Sequence, residues 1–175
     1  MKQRTTTIID GAKKIKLLIL DVDGVLTDGK IFVLPDGETM VSFHVHDGAG
    51  IKNLQAIGIM LAVISGRNTK SVRHRLEQLG IKHIFLGSDN KLIALNTLID
   101  ELKLTAEQIA YVGDDDADIP VMEKVGLSIT VPNAMESVKK IAQYCTQKTG
   151  GNGAVREVCD LLQGVHDQCG REEKT

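Results

Sequence analysis

The stretch Ile15-Lys16-Leu17-Leu18-Ile19-Leu20-Asp21-Val22-Asp23-Gly24 limits what this chain can fold into more than any other. Its aliphatic run reads as a strand buried on both faces, the kind found in the middle of a parallel sheet. The run ends in two carboxylates one residue apart, then a glycine. Inside a core, unpaired carboxylates would cost on the order of several kcal/mol each, and like charges this close raise one another's pKa. The strand is therefore expected to stop at Asp21, with both acids converging on a cation in a polar crevice. In open α/β sheets such a crevice lies beyond the carboxyl ends of the strands. The competing reading is a solvated acidic turn. Against it stand the apolar strand and a second acidic cluster, Asp114-Asp115-Asp116-Ala117-Asp118.

The rest of the chain repeats the pattern of strand, then helix. Lys30 to Leu34 and Glu38 to His44 flank Pro35-Asp36-Gly37 and read as a hairpin over about 30–44. A helix opens in His44-Val45-His46-Asp47-Gly48 and runs to about Ile57. Further strands are expected at Ile59–Ile64, His83–Leu86, Ile109–Val112 and Leu127–Val131. Helices are expected over Thr69–Leu79, Lys91–Leu102, from an Asn133 cap to about Gln143, and over Val155–Leu162. Thr105-Ala106-Glu107-Gln108 has capping-box spacing. Alternation of this kind implies βαβ units with right-handed crossovers. The expected fold is α/β: a Rossmann-like, three-layer parallel sheet with helices on both faces and a small β-hairpin insertion after the first strand. Residues 1–163 read as one domain, and 164–175 as a polar, disordered tail.

Composition narrows the partners. A net charge of −2 disfavours a general nucleic-acid or membrane-surface binder. No apolar run approaches the roughly 20 residues of a membrane span, and residues 1–14 hold no apolar stretch of signal-peptide length. The expected setting is cytoplasmic, and Cys145, Cys159 and Cys169, an odd set without metal-ligand spacing, read as free thiols. With only 3% aromatic residues, the core must be aliphatic.

Asp21-Val22-Asp23-Gly24-Val25-Leu26-Thr27-Asp28-Gly29 resembles the first motif of the haloacid dehalogenase-like phosphatases, and the similarity runs from about Ile15 to Leu162. Within that family it is similar to the small cap-less members that act on 3-deoxy-D-manno-octulosonate 8-phosphate in lipopolysaccharide biosynthesis. The resemblance implies a Mg²⁺-dependent phosphatase. In it Asp21 is the nucleophile that forms an aspartyl-phosphate, and Asp23 is general acid and then base. Mg²⁺ would be held by Asp21, the backbone carbonyl of Asp23, and Asp114. Ser65 would donate to a phosphoryl oxygen, and Lys91 would neutralise Asp21 and the developing charge. Asp118 would hold water or Lys91. Asp115 and Asp116 could cap the next helix.

For a sugar-acid phosphate the resemblance implies substrate contacts from Asp23, His44, Val45, His46, Asp47, Gly48, Lys52, Arg67, Arg75 and Lys91. His46 stands where some relatives carry Arg. His44 and His46 have a plainer reading as hairpin-end residues, Ser65 as a turn residue and Lys91 as a solvated helix-start lysine. No stretch between Asp28 and Ser65, or between Lys91 and Asp114, has room for a cap domain, so closure must come from the hairpin or another subunit. The implied unit is a homotetramer in which the hairpin and the Gly150–Glu157 segment close a neighbour's pocket. Two alternatives remain at this level: a phosphatase of a sialic-acid-type 9-phosphate, and a regulatory domain phosphorylated once on Asp.

Overall fold

The computed structural model describes residues 2–172. Its central strand, β1 (Leu17–Leu20), is buried at every residue, as the aliphatic run requires. The first helix, α1 (Lys2–Lys13), lies outside the sequence reading, and it packs Ile8, Ile9 and Ala12 on the core.

After β1 come the hairpin strands β2 (Phe32–Val33) and β3 (Thr39–Met40). They pair antiparallel in a separate two-stranded sheet. Gly37, at φ +85°, closes the turn by donating to Leu34 O at 2.9 Å. The chain continues through α2 (Val45–Ala56), β4 (Met60–Ser65), α3 (Lys70–Gln78), β5 (His83–Leu86), α4 (Lys91–Leu102) and β6 (Ile109–Val112). Then follow α5 (Ile119–Met122), β7 (Leu127–Thr130), α6 (Glu136–Ile141), β8 (Tyr144–Cys145) and α7 (Ala154–Glu172). The expected capping box before β6 forms, with Thr105 N donating to Gln108 Oε1 at 3.1 Å.

The six-stranded sheet has the order β5-β4-β1-β6-β7-β8 and is parallel throughout. Strands run outward on one side of β1 and then on the other, so the order reverses between β1 and β6. A ligand crevice opens at such a switch point, because the neighbouring connections leave to opposite faces. Right-handed crossovers place α2 and α3 on one face, where α7 packs on both α1 and α2, and α4, α5 and α6 on the other.

Two expectations fail at the C-terminal end. The terminal helix does not stop near Leu162. It continues to Glu172, because Val155, Val158, Cys159, Leu162 and Val165 form a buried stripe that keeps it on the sheet. Residues 173–175, the rest of the expected tail, lie outside the described residues. Asn133 does not cap α6, whose N-cap is Met135 without a side-chain bond.

Candidate active site

β1 delivers Asp21 while still in the ladder: Asp21 N donates to Val112 O at 3.0 Å. The backbone then makes one wide helical turn over 22–26, closed by Thr27 N donating to Val22 O at 3.0 Å. Gly24 sits at φ +85°, and a Cβ on it would fall 2.0 Å from Asp114 Oδ2. Both the conformation and the close approach therefore demand glycine.

β6 ends one residue before Gly113, and Asp114 follows. Asp118 lies fully buried beneath them. Its Oδ1 accepts from Lys91 Nζ at 2.6 Å and from Tyr111 OH at 2.5 Å. Its Oδ2 accepts from the backbone N–H groups of Asp114 and Asp115 at 3.0 and 3.1 Å. Four donors saturate the carboxylate, which leaves it fixed and spent. Lys91, the first residue of α4, also stands 3.0 Å from Asp21 Oδ1, an ion pair without the alignment of a hydrogen bond.

Two buried carboxylates, Asp21 and Asp118, and the half-buried Asp114 thus face one ammonium. Burial first, then the charge of Asp118, pushes the Asp21 carboxyl up to about 7, although Lys91 opposes the shift. Burial, then Asp21 and Asp118, pushes Asp114 up to about 8. Burial disfavours the Lys91 ammonium, but Asp21 and Asp118 outweigh it and hold the pKa above its ordinary value. Burial and Asp118 raise the Tyr111 hydroxyl far above the usual phenol range, so it serves as a permanent donor.

Oδ1 of Asp21 and Oδ1 of Asp114 are buried without a hydrogen-bond partner. A divalent cation would relieve both the orphaned oxygens and the excess negative charge. One oxygen each from Asp21, Asp114 and Asp118 lie within 4.8 Å of one another. Since Asp118 is saturated, Asp21 and Asp114 are the carboxylates left to ligate. An all-oxygen set of this kind suits a hard cation such as Mg²⁺. Asp115 and Asp116 serve local structure: Asp115 Oδ1 accepts from Asp116 N at 2.7 Å, and Asp116 accepts from the Ser137 hydroxyl.

The crevice has a volume of about 570 Å³, and Asp21, Asp23, Ser65, Arg67, Lys91 and Asp114 line it. Asp23 Oδ2 is bound by Arg67 Nε at 2.7 Å. Ser65, buried at the end of β4, accepts from Arg67 N at 3.2 Å.

The remaining expected residues stand elsewhere and do not line this crevice. Asp47 is buried and accepts from Arg156 N at 2.8 Å, tying α2 to the start of α7, while burial pushes its carboxyl upward. Gly48 is the notch that receives Arg75: a Cβ there would lie 2.8 Å from Arg75 Nη2. Lys52 points down α2 to Gly80, where a Cβ would be 3.1 Å from its Nζ. Val45 is exposed, and the His44 and His46 rings meet edge to face at 5.0 Å.

The Gly150–Glu157 segment also departs from expectation. It is used inside its own subunit: Ala154 and Val155 are buried in the core, and Gly151 N donates to Val25 O at 3.0 Å. Sequence reasoning missed two residues that contact the site, Tyr111 and Asn133. A tyrosine in an otherwise aliphatic strand just before Gly113-Asp114 was the available signal for the first. Asn133 had none, because its partners are two distant backbone segments.

Comparison with known proteins agrees with this geometry. A haloacid dehalogenase-like hydrolase family profile matches residues 84–158. The 3-deoxy-D-manno-octulosonate 8-phosphate phosphatase of Salmonella typhi is 49% identical over 167 residues, covering 94% of this chain and 89% of the relative. The enzyme of that name from Yersinia pestis has a solved structure with TM-score 0.91 at 44% identity, covering 93% and 88% of the two chains. The Moraxella catarrhalis 3-deoxy-D-manno-octulosonate 8-phosphate phosphatase was solved with magnesium ion, phosphate ion and the sugar-acid molecule. It superposes with TM-score 0.90 at 43% identity and covers 92% of each chain.

Proposed function

This chain belongs to the haloacid dehalogenase-like hydrolases, and on that premise we propose that it hydrolyses 3-deoxy-D-manno-octulosonate 8-phosphate to the free sugar acid and phosphate, in lipopolysaccharide biosynthesis. The observation that carries the reading is the pair of orphaned, buried carboxylate oxygens on Asp21 and Asp114 beside Lys91. A regulatory acceptor domain needs a phosphorylatable Asp; a hydrolase also needs a second acid in place, and Asp23 lines the same crevice.

In this reading Asp21 attacks phosphorus, and the bond to the sugar oxygen breaks. Asp23 gives its proton to that oxygen as it leaves, then takes one from the water that cleaves the aspartyl-phosphate and restores Asp21. The Ser65 hydroxyl and the Lys91 ammonium hold the phosphoryl oxygens. Asp21, the Asp23 carbonyl and Asp114 would hold Mg²⁺, which would supply neutralisation of phosphoryl charge when bound. Arg67 is the group in the crevice suited to a carboxylate, since its guanidinium can bind one in a two-pronged fashion.

His44, Val45, His46, Asp47, Gly48, Lys52 and Arg75 do not line this crevice, so we place their substrate role in the assembly. We assign a homotetramer. Ile31, Phe32, Val33 and Met40 expose large apolar side chains on a two-stranded sheet with open edges. Cys145 and Cys159 are unpaired thiols suited to a reducing compartment, and the assigned location is the cytoplasm. The Cys169 side chain lies outside the described residues. No described helix is long and apolar enough to cross a membrane.

The test is phosphate release from 3-deoxy-D-manno-octulosonate 8-phosphate by purified protein. Release should be continuous with Mg²⁺, stop on chelation, and exceed release from a neutral hexose phosphate. A single stoichiometric phosphorylation without turnover would replace the hydrolase reading with the regulatory one.

A further inference from the structure

The loop that carries the nucleophile is backed by the 150–151 backbone, and one side chain joins the two backbones. Asn133 Nδ2 donates to Gly24 O at 2.9 Å, and Asn133 Oδ1 accepts from Gly150 N at 2.8 Å. The two segments are in such close contact that a Cβ on Gly150 would fall 1.7 Å from Gly24 O. On its other side, the Gly24 peptide lies against Asp114. The 147–150 loop is itself fixed: the Glu157 carboxylate accepts from Gln147 N at 2.9 Å, Lys148 N at 3.0 Å and Tyr144 OH at 2.8 Å. A rigid arm thus runs from the first turn of α7, through Gly150 and Asn133, to the peptide one residue beyond Asp23.

We propose that Asn133 is a positioning residue for the phosphoryl-transfer step, clamping the Asp21–Gly24 loop between Asp114 and the Gly150 peptide. The inference rests on Asp21 acting as the nucleophile. An amide is required because the two partners are opposite in kind. Gly24 O needs a donor and Gly150 N an acceptor, and Asn supplies both from one planar group. Asp in its place would keep the bond to Gly150 and turn a lone pair toward Gly24 O.

The test compares wild type with Asn133→Asp on 3-deoxy-D-manno-octulosonate 8-phosphate and on an aryl phosphate, with melting curves alongside. A misplaced nucleophile lowers kcat by about ten- to a hundredfold. The loss should be equal for both substrates, since each must be attacked by Asp21, and KM should change little. A variant kcat within about twofold of wild type would overturn the proposal. So would a raised KM at unchanged kcat, which would make Asn133 a substrate contact, or a lowered melting temperature with full kcat per folded molecule. Gly150→Ala should be at least as impaired; where it fails to fold, the Asn133→Asp result decides alone. A wild type without turnover on either ester overturns the hydrolase reading and the clamp with it, whereas an active wild type with an impaired variant speaks to the clamp.

Discussion

The crevice at the strand ends and the region around the hairpin base are built on opposite principles. In the crevice, charged groups are buried and answer one another within a single chain: Lys91 meets Asp21 and Asp118, and Asp118 fills all four of its acceptor sites. Around the hairpin base, apolar groups are exposed, with Phe32 at 56%, Val33 at 71% and Val45 at 71%. Nearby, Asp47 binds the start of α7 and Arg75 fills the Gly48 notch of α2. The difference teaches that the chain buries its charged groups against one another in the crevice and leaves the apolar hairpin face uncovered.

Removing the nucleophile should divide the two regions most sharply. Asp21→Asn is expected to lose phosphatase activity by about 10⁴-fold or more, as for other enzymes stripped of their nucleophile. The same variant should leave sedimentation unchanged, because the hairpin is untouched. Retained turnover in a folded Asp21→Asn protein would dissolve the assignment of the crevice.

Asp23→Asn should cost about 10²- to 10⁴-fold on the sugar-acid phosphate, for lost general acid–base catalysis. In single-turnover measurements the first-step defect should shrink for an aryl phosphate, whose leaving group hardly needs a proton. Equal first-step losses on both esters would remove Asp23 from the acid role.

Between α2 and α3, Lys52→Ala and Arg75→Ala should act on binding alone. Losing one hydrogen bond from a charged group costs about 1.5–3 kcal/mol, so KM for the sugar-acid phosphate should rise about ten- to a hundredfold, with aryl phosphate hydrolysis spared. Unchanged KM would confine these residues to packing between α2 and α3. Val33→Lys should shift the protein to smaller species in sedimentation, by placing a charge on the hairpin face; an unchanged oligomer would move the interface away from the hairpin.

The smallest effect concerns stability of the metal-free protein. The carboxyls of Asp21 and Asp114 are raised in the folded state to about 7 and about 8, from 3.8. A raised carboxyl pKa means the folded protein binds more protons than the unfolded chain between the two values. The stability this confers is present below pH 3.8 and lost as pH rises through about 7 to 8. Melting temperature in chelator should therefore fall between pH 5 and pH 8 as far as these groups decide it, and Mg²⁺ should restore it most at the upper end. An equal Mg²⁺ effect at both pH values would remove these two carboxylates as its ligands.

Much of this was legible in the chain itself, and for a local reason. An aliphatic run has one stable fate, burial in a sheet, and carboxylates at its end have one outlet, the crevice beyond it. Leu17 to Asp23, Ser65 at the end of β4 and Asp114 after β6 each announce their place through neighbours in sequence. So does Lys91, a cation at a helix start where the dipole disfavours it. The sheet order was less visible, yet the reversal between β1 and β6 is what puts Asp21 and Asp114 side by side.

Tertiary structure alone decided what depends on contacts between distant segments. Asn133 reads as a helix cap, but Gly24 and Gly150 claim its amide. Asp47 reads as a substrate contact, but the open N-terminus of α7 takes its carboxylate. The glycines at 150 and 151 read as part of a segment that closes a neighbour's pocket, and they are glycines because another backbone lies where a side chain would be. Polar groups with unsatisfied bonds take the nearest buried partner, and which partner is nearest is a property of the folded chain. The sequence determined the elements and the carboxylates that end them; the packing of those elements determined which polar groups meet in the crevice, which brace its loops, and which side chains stay at the surface.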